Sequence, residues 1–110
     1  MSVLYKAGVC GDPHPMVQKA IGAVHRILPE TYDLVVTSLR DGEHRAGSFH
    51  EIGRAVDLRM RCVSATHDAV YVLTRDPVKA ACAAVSPYLQ VIDEGDHIHI
   101  EYDPPEDQCP

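Results

Sequence analysis

Two histidine-containing motifs in this chain offer the side chains of a metal site. In SFHEIGRAVDL, His50 and Asp57 lie seven positions apart around Gly53, and HIHIEY places His97 and His99 two positions apart. In an extended strand, two such histidines leave the same face with Cα atoms about 6.6 Å apart, which suits two groups addressing one ion. A catalytic zinc takes three protein ligands and keeps its fourth position for water. His50, Asp57 and one histidine of HIH form such a set.

Each motif also has a simpler explanation. His50 and Asp57 alone are compatible with a surface ion pair, and HIH alone with a strand face pointing at solvent. The helical zinc motif H-E-x-x-H is excluded, because Arg54 stands where its second histidine is required. The joint occurrence of both motifs with a nearby acid, Glu94, favours a metal site. The remaining histidines outside the loop and the final hairpin are interpreted as ordinary surface or core residues: His14, His25 and His67.

The spacing of apolar residues predicts two helices that could support these motifs. In PMVQKAIGAVHRIL, apolar side chains recur every three or four residues, the period of one helix face, and Pro15 suits the first turn. The Ala-rich stretch PVKAACAAVSPYL predicts a second helix that begins at Pro77 and ends near Pro87.

Strand patterns surround the candidate ligands. DLVVTSL is a β-branched run of strand length, and residues 55 to 60 alternate apolar and polar character. HDAVYVLT is favoured as a strand by its Val and Tyr content. LQVID, EGD and HIHIEY predict a hairpin with Gly95 in its turn. Residues 39 to 53, rich in Gly, His and charge, predict a long loop.

The order of these elements predicts an α+β fold, with helices packed on a mostly antiparallel sheet. The length of 110 residues and the hydrophobic content of 45% fit a single domain, residues 1–110, whose end at 104–110 is a Pro-rich acidic tail. The four cysteines form no C-x-x-C pair, so we expect reduced, partly buried thiols.

Charge and hydropathy exclude several classes of partner. The formal net charge of -6, with 10 basic residues scattered among 16 acids, argues against a nucleic-acid groove. The chain contains neither an apolar run that would span a bilayer nor the apolar core of a secretory signal. We therefore expect no membrane partner and a cytoplasmic location at synthesis.

The two motifs together resemble those of a known family. VTSLRDGEHRAGSFHEIGRAVDL followed by EGDHIHIEY is similar to the zinc peptidases of the D-Ala-D-Ala carboxypeptidase, lysostaphin and hedgehog type, in particular to the small carboxypeptidase-like cell-wall peptidases of bacteria and phages. The resemblance covers roughly residues 33 to 103 and implies the hedgehog or D,D-peptidase-like fold. The family pattern S-x-H-x-x-G-x-A-x-D, then H-x-H, is matched by Ser48, His50, Gly53, Ala55, Asp57, His97 and His99.

The resemblance implies that His50, Asp57 and His99 bind Zn²⁺. In the H-x-H branch of the family, the second histidine is the ligand. In the carboxypeptidase branch, a Glu lies three residues before the ligand histidine, and Glu94 has that spacing to His97 rather than to His99. We expect His99 to be the third ligand and keep His97 as the second choice.

The resemblance also implies three catalytic residues. Glu94 would be the general base, and His97 would steady the oxyanion or move protons. An arginine in a T-S-x-x-R stretch would face the substrate; the matching residue is Arg40, with Arg45 as the alternative. Ser48 would orient a ligand by a hydrogen bond.

The implied activity is zinc-dependent hydrolysis of peptide bonds in peptidoglycan stem peptides, either as a D-Ala-D-Ala carboxypeptidase or as an endolysin-like endopeptidase that cuts the L-Ala-D-Glu bond. A phage-encoded enzyme would act at the host periplasm, at the cell wall or in the virion, whereas a bacterial cytosolic dipeptidase would remain inside the cell. The alternative is a non-catalytic zinc-binding domain, or a structural domain of a phage particle with the same fold.

Overall fold

The computed structural model describes residues 3–9, 11, 13–39, 53–64, 66 and 68–105. Within them, the chain forms the helices α1 (Pro15–Ile27) and α2 (Arg75–Ala83). The described strands, in chain order, are β1 (Val3–Tyr5), β2 (Leu34–Ser38), β3 (Ala55–Arg59), β4 (Arg61–Val63), β5 (Val70–Val72), β6 (Leu89–Asp93) and β7 (His97–Tyr102).

Five of these strands form one mixed sheet in the order β1-β2-β3-β7-β6. β1 pairs with β2 in parallel, and α1 lies between them in the chain. The other three ladders are antiparallel, and β4 and β5 form a separate two-stranded antiparallel pair. This small domain of two helices and a mixed sheet confirms the α+β class expected from the sequence.

Both helices cover the same face of the sheet. α1 and α2 pack against each other, α2 packs on β6 and α1 on β7. The sheet residues beneath them are fully buried and belong to one core: Leu34, Val36, Val56, Leu58, Ile98 and Ile100. Because successive strand residues point to opposite faces, the residues that alternate with this core lie on the face opposite the two described helices. Asp57, His97 and His99 are among them.

The first helix forms as its apolar spacing predicts. It begins at Pro15, and the imidazole Nδ1 of His14 accepts a hydrogen bond of 3.1 Å from the backbone N–H of Met16. This cap satisfies one of the free donors at the helix start and confirms a structural role for His14. No described helix is long and apolar enough to cross a membrane.

The predicted hairpin is present and its turn requires glycine. β6 and β7 are joined by residues 94–96, and Gly95 has a φ of 96°, a conformation that disfavours residues with a Cβ. The carboxylate of Asp93 accepts the Gly95 backbone N–H at 2.8 Å, and the carbonyl of His97 accepts the Glu94 N–H at 3.0 Å. The turn therefore holds Glu94 beside the first residues of β7.

Several local expectations differ from the structure. α2 begins at Arg75 rather than at Pro77, because proline is tolerated throughout the first helical turn, where no intrahelical N–H bond is lost. The three-residue strands β1 and β4 were not predicted, since neither is long enough to show alternation. β5 confirms the strand predicted within HDAVYVLT. Residues 40–52 of the predicted loop and 106–110 of the tail lie outside the described residues.

Two cysteines are buried, unpaired thiols, as expected. Cys62 and Cys82 are both free and inaccessible to solvent, and they belong to the core under the helices. Burial raises the pKa of each thiol from 9.0 to about 11, because the thiolate is poorly solvated there. Cys10 and Cys109 lie outside the described residues.

Replacing Ile100 with alanine should lower the free energy of unfolding by about 2 to 5 kcal/mol, because the side chain is fully buried and a cavity remains. The matched control is Ile92→Ala on the neighbouring strand, where the side chain is 42% exposed and the loss should stay below about 1 kcal/mol. Urea unfolding followed by circular dichroism measures both. Equal losses would contradict the assignment of the two sheet faces.

Stability should fall above about pH 9 through the buried thiols. The pKa of Cys82 is about 11 in the folded protein, so the unfolded chain, with a thiol pKa of 9.0, releases this proton at a lower pH. The contribution of the protonated thiol to stability is therefore fully present below pH 9.0 and is lost as the pH rises toward 11. Between pH 7.5 and 10.5, wild type should lose about 1 to 2 kcal/mol more than Cys82→Ala. Urea unfolding at both pH values measures this difference, and parallel losses would refute the protonated buried thiol.

Candidate metal centre

The sheet face opposite the described helices brings the strand-borne candidate residues together. In the antiparallel ladder of β3 and β7, Asp57 lies directly opposite His99, and Arg59 lies opposite His97. One face of the sheet therefore carries Asp57 and Arg59 on β3, and His97 and His99 on β7. This confirms that both histidines of HIH leave the same face, as their spacing predicts.

Asp57 lies between the two histidines. Its Oδ1 is 2.9 Å from Nδ1 of His99, a hydrogen-bond distance, and its Oδ2 is 3.8 Å from Nε2 of His97. The Asp57 side chain is only 15% exposed. A poorly hydrated carboxylate between two imidazole nitrogens favours a positive charge at this point, whether a proton or a metal ion supplies it.

Glu94 reaches the same point from the hairpin turn. Its Oε1 is 3.7 Å from Nε2 of His97 and 3.6 Å from Nδ1 of His99. Glu94 is the most exposed of these four side chains, at 42%. The structure thus brings four predicted residues together, and Glu94 is the member that solvent and a ligand reach most easily.

Each histidine uses its outer ring nitrogen for a second carboxylate. Nδ1 of His97 is 2.5 Å from Asp96 Oδ1, and Nε2 of His99 is 2.8 Å from Glu101 Oε1. The inner nitrogen of each ring faces Asp57 and Glu94. The sequence motif did not indicate these outer carboxylates, although Glu101 falls two positions after His99 on the same strand face.

The described residues fit a divalent metal. Asp57, Glu94 and His97 each offer one ligand atom, and these atoms all lie within 4.8 Å of one another. Ligand atoms on a tetrahedral zinc with bonds of about 2.0 to 2.2 Å are separated by about 3.3 to 3.6 Å. The nitrogen-to-carboxylate distances of 3.6 to 3.8 Å around Glu94 and His97 are close to that separation. Only small side-chain movements are needed to close the group around an ion.

The proton on His99 reflects the surrounding negative charge. Burial alone would lower the pKa of His99, but hydrogen bonds to Asp57 and Glu101, and the charges of these carboxylates, outweigh burial and raise it above its ordinary value. Metal binding at a histidine competes with such a proton, so zinc affinity at this group should depend on pH.

A shallow cavity of about 350 Å³ adjoins the cluster and provides access from solvent. Its lining includes Asp57 and His97, together with the cationic side chains of Lys6 and Arg59. Arg59 follows Asp57 by two positions and shares its face of β3, although neither sequence motif pointed to it. Lys6 follows the short strand β1, and it lies beside the site only because the parallel pairing of β1 with β2 brings it there.

Four predicted residues lie outside the described residues: Arg40, Arg45, Ser48 and His50. The chain re-enters the described part at Gly53, which has a φ of 78° and accepts the His14 backbone N–H at 2.7 Å through its carbonyl. This position, two residues before β3, therefore requires the conformational freedom of glycine. The following residues lead directly into the strand that carries Asp57.

Comparisons with protein-family models, with curated proteins and with solved structures found no match to this chain.

Asp57→Asn should weaken zinc binding by more than about 100-fold, because loss of a ligand carboxylate exceeds the 10- to 100-fold cost of losing an outer-shell partner. Competition with a chromophoric chelator measures the dissociation constant at pH 7.5. The matched control is Asp68→Asn, an exposed aspartate away from the group. If both variants bind zinc as wild type does, Asp57 is not a ligand.

Proposed function

We propose that this protein is a zinc-dependent peptidase that hydrolyses peptide bonds in peptidoglycan stem peptides, with the hedgehog or D,D-peptidase-like form of the α+β fold. The observation that carries the proposal is the convergence of Asp57, Glu94, His97 and His99 on the sheet face opposite the described helices. The resemblance of the motifs around these residues to cell-wall zinc peptidases supplies the reaction and the substrate class.

Asp57 and His99 are the proposed zinc ligands from the described residues, and His50 is the proposed third ligand. Burial supports the choice of His99, whose side chain is 12% exposed against 29% for His97. A ligand histidine benefits from a fixed ring, whereas a group that contacts substrate has to be reached from solvent. His97 remains the second choice, since it groups with Asp57 and Glu94.

Bound zinc would supply Lewis-acid polarisation of the scissile carbonyl and activation of water near neutral pH. Glu94 is the proposed general base, which would accept the proton of the attacking water and return it to the leaving amine. Its exposed carboxylate, 3.7 Å from Nε2 of His97 and 3.6 Å from Nδ1 of His99, supports this role. His97, at the edge of the cavity, stabilises the negative charge that develops on the carbonyl oxygen. Arg40 is the proposed further contact to the substrate.

The open cavity and its charges are compatible with a peptide substrate. Stem peptides carry free carboxylates, and the side chains of Lys6 and Arg59 place positive charge beside Asp57 and His97. Both proposed cleavage sites, the terminal D-Ala and the L-Ala-D-Glu bond, present a carboxylate near the scissile amide. The products released from peptidoglycan will distinguish these two activities.

Purified protein should release peptide fragments from peptidoglycan in a zinc-dependent manner, with mass spectrometry identifying the bond. Glu94→Gln should bind zinc and lower the rate by about 100- to 10,000-fold, the usual contribution of a general acid-base group. His50→Ala should lose both zinc and activity.

The matched control for this experiment is Glu30→Gln, an exposed glutamate after α1, which should leave the rate unchanged. One zinc per chain without fragment release by wild type would refute the peptidase and favour a zinc-binding or phage structural domain. Release that survives in Glu94→Gln would refute the role of Glu94 alone.

A further inference from the structure

We propose that Glu101 is a positioning residue that fixes the tautomer and ring orientation of His99, so that Nδ1 of His99 is the atom offered to the metal. This inference rests on the metal centre proposed above and adds a residue that the motifs did not indicate. Its basis is the contact of 2.8 Å between Glu101 Oε1 and Nε2 of His99.

Strand geometry places Glu101 beside His99. The two residues are two positions apart on β7, so both side chains leave the same face. The residue opposite Glu101 on β3 is Ala55, whose methyl group leaves space for the longer side chain to lean along the strand. Gln90 lies opposite Glu101 on β6, and its amide contacts Asp103 instead. Glu101 is therefore free to approach the imidazole along β7.

Both ring nitrogens of His99 contact a carboxylate, and the two differ in that Glu94 also lies beside Nδ1. An ionised carboxylate only accepts hydrogen bonds, so Nε2 of His99 has to donate to Glu101. Asp57 likewise accepts from Nδ1 at 2.9 Å when no metal is bound, and Glu94 lies 3.6 Å from the same nitrogen. A metal ion held by Asp57 would replace the Nδ1 proton, and the bond to Glu101 would keep the remaining proton on Nε2, at the far side of the ring. A carboxylate behind the distal nitrogen of a ligand histidine is a recurrent means of orienting the ring and raising its basicity.

The equivalent contact of His97 is more exposed to solvent. Asp96 lies within hydrogen-bond distance of His97 Nδ1, but its side chain is 90% exposed, against 19% for Glu101. Water competes with an exposed carboxylate and weakens its hold on the ring. This difference in carboxylate exposure indicates that the ring of His99 is fixed and faces the metal, and that the ring of His97 is more mobile.

Zinc affinity of Glu101 variants tests the assignment. Glu101→Ala should weaken zinc binding about 10- to 100-fold, the usual cost of losing such a partner. Glu101→Gln should recover most of that affinity, because its amide oxygen still accepts the Nε2 proton. Gln90→Ala, on the adjacent strand opposite Glu101, is the matched control and should bind zinc as wild type does. Chelator competition gives the dissociation constants, and circular dichroism melting establishes that each metal-free variant is folded.

Long-range proton-nitrogen NMR spectra of the histidines provide a second readout that a purely structural role would not change. In zinc-loaded wild type, His99 should carry its proton on Nε2 and bind the metal through Nδ1. In zinc-loaded Glu101→Ala, the Nε2 signals of His99 should shift because the acceptor of the Nε2 proton is lost, while the His97 signals should change less.

The possible failures are distinguishable. If wild type binds zinc and Glu101→Ala binds it equally well, the positioning role is wrong and the proposed metal centre stands. If zinc is found on Nε2 of His99, the tautomer assignment is wrong even where affinity falls. If wild type binds no zinc, the metal centre is overturned and the role of Glu101 with it.

Discussion

The register of β3 against β7 is the constraint on which the rest of this structure depends. The same pairing that sets Asp57 opposite His99 sets Val56 opposite Ile100 and Leu58 opposite Ile98 beneath the helices. A slip of one residue would turn the apolar set to solvent and the polar set into the core. The free energy of burying the core therefore also holds the candidate metal site in place.

Electrostatics explains why this face suits a cation. This face and the hairpin turn bring four carboxylates close to the two imidazole rings: Asp57, Glu94, Asp96 and Glu101. Like charges at such separations repel, and partial burial of Asp57 and Glu101 prevents water from screening them fully. A proton on His99 offsets part of this charge, and a divalent ion would offset more. Without a proton or a metal ion among them, the mutual repulsion of these four carboxylates is therefore unfavourable in free energy.

The two histidines of HIH occupy different environments despite adjacent positions on one strand face. His99 lies between Asp57 and Glu101 in the middle of the sheet, whereas His97 lies at the hairpin end beside the exposed Asp96. The difference follows from distance to the turn, because His99 has a paired residue on both neighbouring strands, whereas His97 is paired on β3 alone. The fold can therefore support different tasks for chemically identical side chains.

Local patterns in the sequence determined α1, the strand that carries Asp57 and the β6–β7 hairpin, because periodicity and turn chemistry act over a few neighbouring residues. The spacing of HIH likewise determined that both histidines share a face. Only the tertiary structure decided the contact of Asp57 with His99, the partner of each outer ring nitrogen and the approach of Lys6, since these depend on register between distant strands. The short strands β1 and β4 were not predicted for the same reason. Pairing with β2 stabilises β1 and pairing with β5 stabilises β4, whereas the three residues of each strand carry no pattern of their own.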